Sequence, residues 1–277
     1  MLASVAQFIL FWVILIAVVP EITCFLLLSG LIVLIGAKHA KRKPLLDKFI
    51  VGSIILCLYA YITFYLAYLN SNLVMLSSIG LIVYALYQSK RLVRDYKPHK
   101  TDIIFPVFFI LLFVLVGVFR SQDQSIDPSD YITNHLIHHL PPDNVLPRWL
   151  ADKILDGDHS APIAQGSDWL VSDRPPIQAA VYMLFKDIMG KLYGIHFYHW
   201  LSVFLQLLWI PFLYYFIFRF TKNKYLSLAP ILLYFFTPNA LINSLYTWPK
   251  LVAGIFGLYS LNTSPTAFNS VMSPTGV

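Results

Sequence analysis

The run FIVGSIILCLYAYITFYLAYL, from Phe49 to Leu69, contains no charged residue. As a helix rising about 1.5 Å per residue it covers about 30 Å, the thickness of a bilayer's hydrocarbon core. Similar apolar runs lie at 5–19, 22–36, 73–88, 102–119, 197–219, 225–242 and 250–262. Those at 22–36 and 73–88 are slightly short, and 250–262 is too short to cross unaided. In lipid the backbone must satisfy its own hydrogen bonds, which points to helices. The runs are continuously apolar rather than alternating, which excludes a β-barrel. Residues are 58% hydrophobic and only 12% charged, and mean hydropathy is +0.67. The expected fold class is an all-α membrane protein of about eight transmembrane helices. One large extracytoplasmic loop carries juxtamembrane helices.

The net charge of +6 invites a nucleic-acid partner, but its distribution argues against one. Thirteen of the twenty Lys and Arg residues fall in three connectors, Lys38 to Lys48, Lys90 to Lys100 and Arg219 to Lys224. That is the positive-inside signature, so the connectors and both termini are expected in the cytoplasm and the bilayer is the partner. The segment from Arg120 to His196 then faces outward. It holds ten of the fourteen acids and five of the eight histidines, against six basic residues.

Cys24 and Cys57 lie within apolar runs, where small buried thiols are expected and no disulfide framework can be read. Residues 5–19 lack a basic n-region and a cleavage site, which makes them a retained helix rather than a signal peptide. Pro20-Glu21 reads as a hairpin turn with Glu21 in the outer water. Tyr61, Tyr65 and Tyr68 share a helix face, fit for packing and an interfacial belt or for lining a cavity. Asn70-Ser71-Asn72 is an outer turn. Pro106 is tolerated near a helix start, and Pro211 and Pro230 are interior to the two long helices that follow the loop.

Within the loop, Asp127-Pro128-Ser129-Asp130 reads as a helix start, and Tyr131–Leu140 as a short helix stopped by Pro141-Pro142. Leu146, Trp149, Leu150 and Ile154 recur at helical spacing opposite Arg148, Asp152 and Lys153, predicting a helix in the membrane interface. Gly157 to Gly166 is loop. Ile177, Val181, Leu184, Phe185, Ile188 and Leu192 form a second stripe, expected as a juxtamembrane helix or a shallow re-entrant segment. Past Leu261 the composition changes to small polar residues. The expected organisation is a four-helix membrane region at 1–101, a core at 102–262 that includes loop 120–196, and a disordered or non-native tail at 263–277. The whole reads as an N-terminal part of a longer membrane protein.

No phosphate-binding loop, dinucleotide fingerprint, zinc-protease motif or nucleophile elbow occurs. Chemistry therefore rests on the loop. Asp127, Asp130 and Asp143 follow a spanning helix, where a carboxylate deprotonates an acceptor, holds a divalent cation, or simply caps helices and solvates the loop. His135, His138 and His139 have helix-face spacing for a metal but no fourth ligand, and a polar helix face serves equally. The metal assignment stays unknown. Arg174 precedes Pro175-Pro176, a stiff base that presents its guanidinium to a phosphate, to neighbouring Asp168 or Asp173, or to lipid headgroups. Lys250 after Trp248-Pro249 is a second outward cation or a snorkelling anchor.

On these residues Asp173-Arg174-Pro175-Pro176-Ile177 resembles the charged-Pro-Pro-Leu motif of GT-C membrane glycosyltransferases, a class that includes aminoarabinose transferases and protein mannosyltransferases. The likeness covers about residues 102–250. It implies transfer of a sugar from a polyprenyl-phosphate carrier to a lipid, glycan or protein acceptor outside the cytoplasm, in a bacterial inner membrane. Asp127 or Asp130, with Asp143 as a further candidate, would activate the acceptor or hold a cation. Arg174 and Lys250 would bind the donor phosphate, with His138 and His139 beside them. Two features depart from the family order: four helices precede the acid loop, and Asp127 and Asp130 are separated by Pro128-Ser129. The competing reading is a transporter or assembly component, or an inactive truncated transferase. Transporters place ionisable groups near the bilayer midplane, and these apolar runs contain almost none.

Overall fold

The computed structural model describes residues 20–40, 43–95, 98–120, 145–158, 176–194, 196–245, and Gly254 and Gly257. Among them every regular element is helical and none is a strand. The helices are α1 (Pro20–Gly36), α2 (Leu45–Leu69), α3 (Asn72–Asp95), α4 (Ile104–Arg120), α5 (Leu146–Leu155) and α6 (Ile177–Phe185). They continue with α7 (His196–Leu207), α8 (Trp209–Thr221), α9 (Lys224–Phe235) and α10 (Pro238–Leu245). A 3₁₀ turn, Lys100–Ile103, leads into α4, and a π turn, Lys186–Gly190, extends α6.

Among the described residues three helical stretches are long and apolar enough to cross a membrane: Leu45–Leu69, Asn72–Lys90 and His196–Thr221. A fourth arises if α9 and α10 form one bent span. The runs at 5–19 and 250–262 lie outside the described residues, save Gly254 and Gly257.

Local sequence sets the boundaries. Proline opens α1 at a position whose N–H would be unbonded in any case. Asn70 ends α2 in extended backbone, its N–H reaching Leu66 O, and its side chain accepts from the Asn72 N–H at 2.9 Å. This is the expected turn into α3. At the start of the 3₁₀ turn, His99 Nδ1 accepts from the Thr101 N–H while Asp102 accepts from the His99 N–H, a reciprocal cap. Pro106 sits in the first turn of α4, where no hydrogen bond is lost.

The α1–α2 crossing is set by two glycines. A Cβ added to Gly36 would collide with the Lys48 carbonyl, and one added to Gly52 with the Ile32 carbonyl. Small residues let backbones approach closely, the usual device of helix pairs in lipid. Lys48 is buried beside this crossing, with its Nζ donating to Lys43 O at 3.0 Å.

One continuous core runs from Cys24 to Leu245. Phe204 of α7 lies at its centre, with ring centroids 6.1 Å from Phe25 of α1 and 5.7 Å from Phe108 of α4. Cys24 and Cys57 are buried and unbridged, as expected. Tyr61 and Tyr65 are exposed, their hydroxyls 3.1 Å apart.

Three expectations need correction. The run 225–242 is two helices meeting at 78°. The break falls at Phe236-Thr237 rather than at Pro230, because Thr237 precedes Pro238 and is pushed out of helical backbone. The Thr237 hydroxyl donates to Tyr234 O at 2.7 Å and accepts from the Ala240 N–H, capping α10. The run 197–219 forms one span as expected, with a local interruption at Leu208. Pro211 has no N–H for Leu207 O and its ring crowds that carbonyl, but the two halves still form one span.

Glu21 is buried rather than in outer water, 8% exposed. It occupies the first turn of α1, where free N–H groups and the helix dipole favour a carboxylate. Finally, the apolar stripe expected along α6 is not one-sided, since Gln178 through Phe185 are all buried. The π turn adds a residue to one turn and rotates the stripe, leaving Leu192 66% exposed.

Candidate functional site

The residues the sequence singles out, Asp127, Asp130, Asp143, His135, His138, His139, Arg174 and Lys250, lie outside the described residues. What the structure shows is the scaffold from which their segments depart: α5 follows the first acidic stretch, and α6 begins three residues after Arg174.

Helix α5 forms where the pattern predicts. Leu146, Leu150 and Ile154 of its stripe are buried together with Ala151, whereas Trp149 of that stripe is exposed, and Pro147 stands in the first turn. It ends in a Schellman turn: the Asp158 N–H reaches Lys153 O, the Gly157 N–H reaches Ile154 O, and Gly157 adopts φ 75°. The polar face also makes contacts. Arg148 lies over the Tyr198 ring of α7, 5.9 Å from its centroid. Asp152 pairs with Lys186 of the π turn at 2.8 Å, joining α5 to the segment after α6. Lys153 pairs with Asp158 at 3.5 Å.

Helix α6 starts from Pro176, whose carbonyl accepts from the Ala180 N–H at 2.7 Å. It packs against α2, α3, α5 and α7. Ser78 of α3 donates to Leu184 O at 2.6 Å, a single hydroxyl joining sequence-distant helices. Tyr182 meets Tyr198 edge-on at 5.1 Å and stacks on Phe197 at 6.1 Å. Gly194, at φ 61°, turns the chain into α7, where Tyr193 and His196 pack on Trp200.

Sequence reasoning gave no role to Gln178. It is 2% exposed, and neither its amide oxygen nor its nitrogen has a hydrogen-bond partner. Leaving such groups unpaired costs about 1–3 kcal/mol each. The signal was legible as a lone amide in the apolar helix IQAAVYMLF, two residues beyond the double proline. Among the described residues no three His, Cys, Asp or Glu side chains gather as a metal site.

The three basic connectors meet at the other end of the bundle. Pro44, Leu46 and Asp47 at the start of α2, His99 and Thr101 before α4, and Tyr215, Phe218, Arg219 and Lys222 around the end of α8 line one cavity of about 210 Å³. The structure thus brings together connectors that the charge pattern assigns to one membrane face.

No family model, curated protein or solved structure matches this chain.

Proposed function

We propose that the chain is a multi-pass membrane glycosyltransferase region that transfers a sugar from a polyprenyl-phosphate carrier to an acceptor outside the cytoplasm. In this reading the chain makes eight crossings of a bacterial inner membrane. The connectors at the cavity face the cytoplasm, and loop 120–196 lies outside. Asp127 or Asp130, with Asp143 nearby in sequence, removes the acceptor proton or holds a divalent cation. Arg174 and Lys250 stabilise charge growing on the leaving phosphate, with His138 and His139 in the donor pocket. The isoprenoid tail lies between apolar helices, which gives the chemistry its need for a membrane body.

The observation that carries the reading is the seating of α6. A helix that begins at the double proline of the charged-Pro-Pro motif is buried on every side against α2, α3, α5 and α7. A segment leaving it starts from a rigid base, as phosphate recognition by Arg174 requires. Gln178, in the first turn of that helix with both amide atoms unpaired, is a further polar group near the same base.

Turnover of a polyprenyl-phosphate sugar by the full-length protein tests this. Arg174→Ala and Asp130→Asn are each expected to lower kcat/KM by at least about a hundredfold, the scale of losing one charge-stabilising or proton-transfer group. Turnover unchanged in both variants removes the site.

A further inference from the structure

We infer that the cavity at the basic end binds a phosphoethanolamine group, as carried by an aminophospholipid of the adjoining leaflet. It lies at the end opposite α5 and α6 and does not depend on the transferase reading.

The lining has both signs of charge. Arg219 and Lys222 provide a guanidinium and an ammonium, while Asp47 provides a carboxylate. Burial pushes the Asp47 carboxyl above the usual carboxylate range and neighbouring Asp102 adds to this, while the Tyr215 hydroxyl hydrogen-bonds the carboxylate and Lys43 and His99 act to hold its charge. A simple anion would meet repulsion from Asp47, and a simple cation repulsion from Arg219 and Lys222. A zwitterion with ammonium and phosphate on a two-carbon spacer matches both. Arginine suits phosphate through its planar fork, and a carboxylate accepts a charge-assisted hydrogen bond from a primary ammonium.

The His99 ring lines the same cavity, its Nδ1 held against the Thr101 N–H and hydroxyl. Lys222 stands at φ 51°, in left-handed backbone where glycine is the easier residue. A lysine there costs conformational energy that a neutral glycine would not, as expected if its charge has a use. Leu46, Pro44 and Phe218 line the cavity with apolar surface for a glycerol or acyl stem.

The test is calorimetric titration of the full chain, purified in a maltoside detergent, with dihexanoyl phosphatidylethanolamine, phosphatidylglycerol and phosphatidylcholine, and with soluble phosphoethanolamine. The ethanolamine lipid is expected to bind at least about tenfold tighter than either other lipid, the size of one charge-assisted hydrogen bond. Asp47→Asn keeps an acceptor for Tyr215 and should abolish the preference over phosphatidylglycerol. Lys222→Gly fits the backbone better than lysine and should weaken the ethanolamine and glycerol lipids alike, by about tenfold. A soluble phosphoethanolamine that binds as tightly as the lipid would identify a soluble aminophosphate as the source, and weaker binding would identify the membrane. Both results uphold the recognised group. Equal affinity for the three lipids overturns the proposal. So does unchanged binding of the ethanolamine lipid by Asp47→Asn or Lys222→Gly, each melting as cooperatively as the parent.

Discussion

Two long apolar stretches of this bundle occupy opposite surroundings. Residues of His196–Thr221 are 72% buried inside the protein, whereas those of Asn72–Lys90 are 28% buried. The buried one carries more polar atoms into the interior: His199, Ser202 and Gln206 are each 1% exposed. The exposed one turns Leu76, Val83, Leu86 and Tyr87 outward. In water, burial would sort these faces the other way. Polar groups inside and aliphatic groups outside is the arrangement that a lipid solvent selects, because lipid satisfies no hydrogen bond.

The strongest test of that contrast is removal of a ring from the buried span. Phe204 touches Phe25 and Phe108 and is 1% exposed. Phe204→Ala should destabilise the fold by about 3–5 kcal/mol, as lost dispersion contacts plus an unfilled cavity. Thermal or denaturant unfolding in detergent measures it. A loss below about 1 kcal/mol would mean that α7 is not the centre of the bundle. Next comes a charge on the exposed span. Ile79, half exposed near the middle of Asn72–Lys90, should resist Ile79→Arg by about 2.5–3.5 kcal/mol in an insertion assay. A surface that faces water would accept the arginine at no cost.

Much of this contrast was legible in the sequence. Apolar length gave the helices, and the basic connectors Lys38–Lys48, Lys90–Lys100 and Arg219–Lys224 gave an end at which they gather. Periodicity gave α5 and its buried face. Three things were not legible from periodicity. The π turn after Phe185 moved Leu192 off its stripe, since it depends on tertiary packing of α6. The sharp bend lay at Thr237-Pro238, where a capping threonine outranks an interior proline. The cavity around Asp47 joins residues far apart in the chain, and no local pattern pairs His99 with Tyr215. The loop acids and Arg174 were chosen by residue chemistry and motif, which give their kind but not their mutual distances.

A smaller effect separates close crossings from open ones. At Gly52 a methyl group meets the backbone of α1, which cannot swing away, while at Gly30 nothing lies within 4 Å. Gly52→Ala should therefore cost about 1–3 kcal/mol by overpacking. Gly30→Ala should be neutral or stabilising by about 0.5–1 kcal/mol, through the helix preference of alanine. Equal melting shifts for the two would show that α1 and α2 do not cross at these glycines.

The smallest differences lie within α3 itself, where one face meets protein and the other does not. Ser78 donates to Val74 O and to Leu184 O, so its hydroxyl ties α3 to α6. Ser78→Ala removes a donor but leaves the Leu184 carbonyl free to bond within its own helix, so the loss should be about 0.5–1.5 kcal/mol. Leu76, 60% exposed, has no such partner. Leu76→Ala exchanges one lipid-facing aliphatic for another and should change stability by less than about 0.5 kcal/mol. Both variants are read in the same unfolding assay. If Leu76→Ala proves the costlier, a further helix covers that face, and the low burial of α3 belongs to a missing neighbour rather than to lipid.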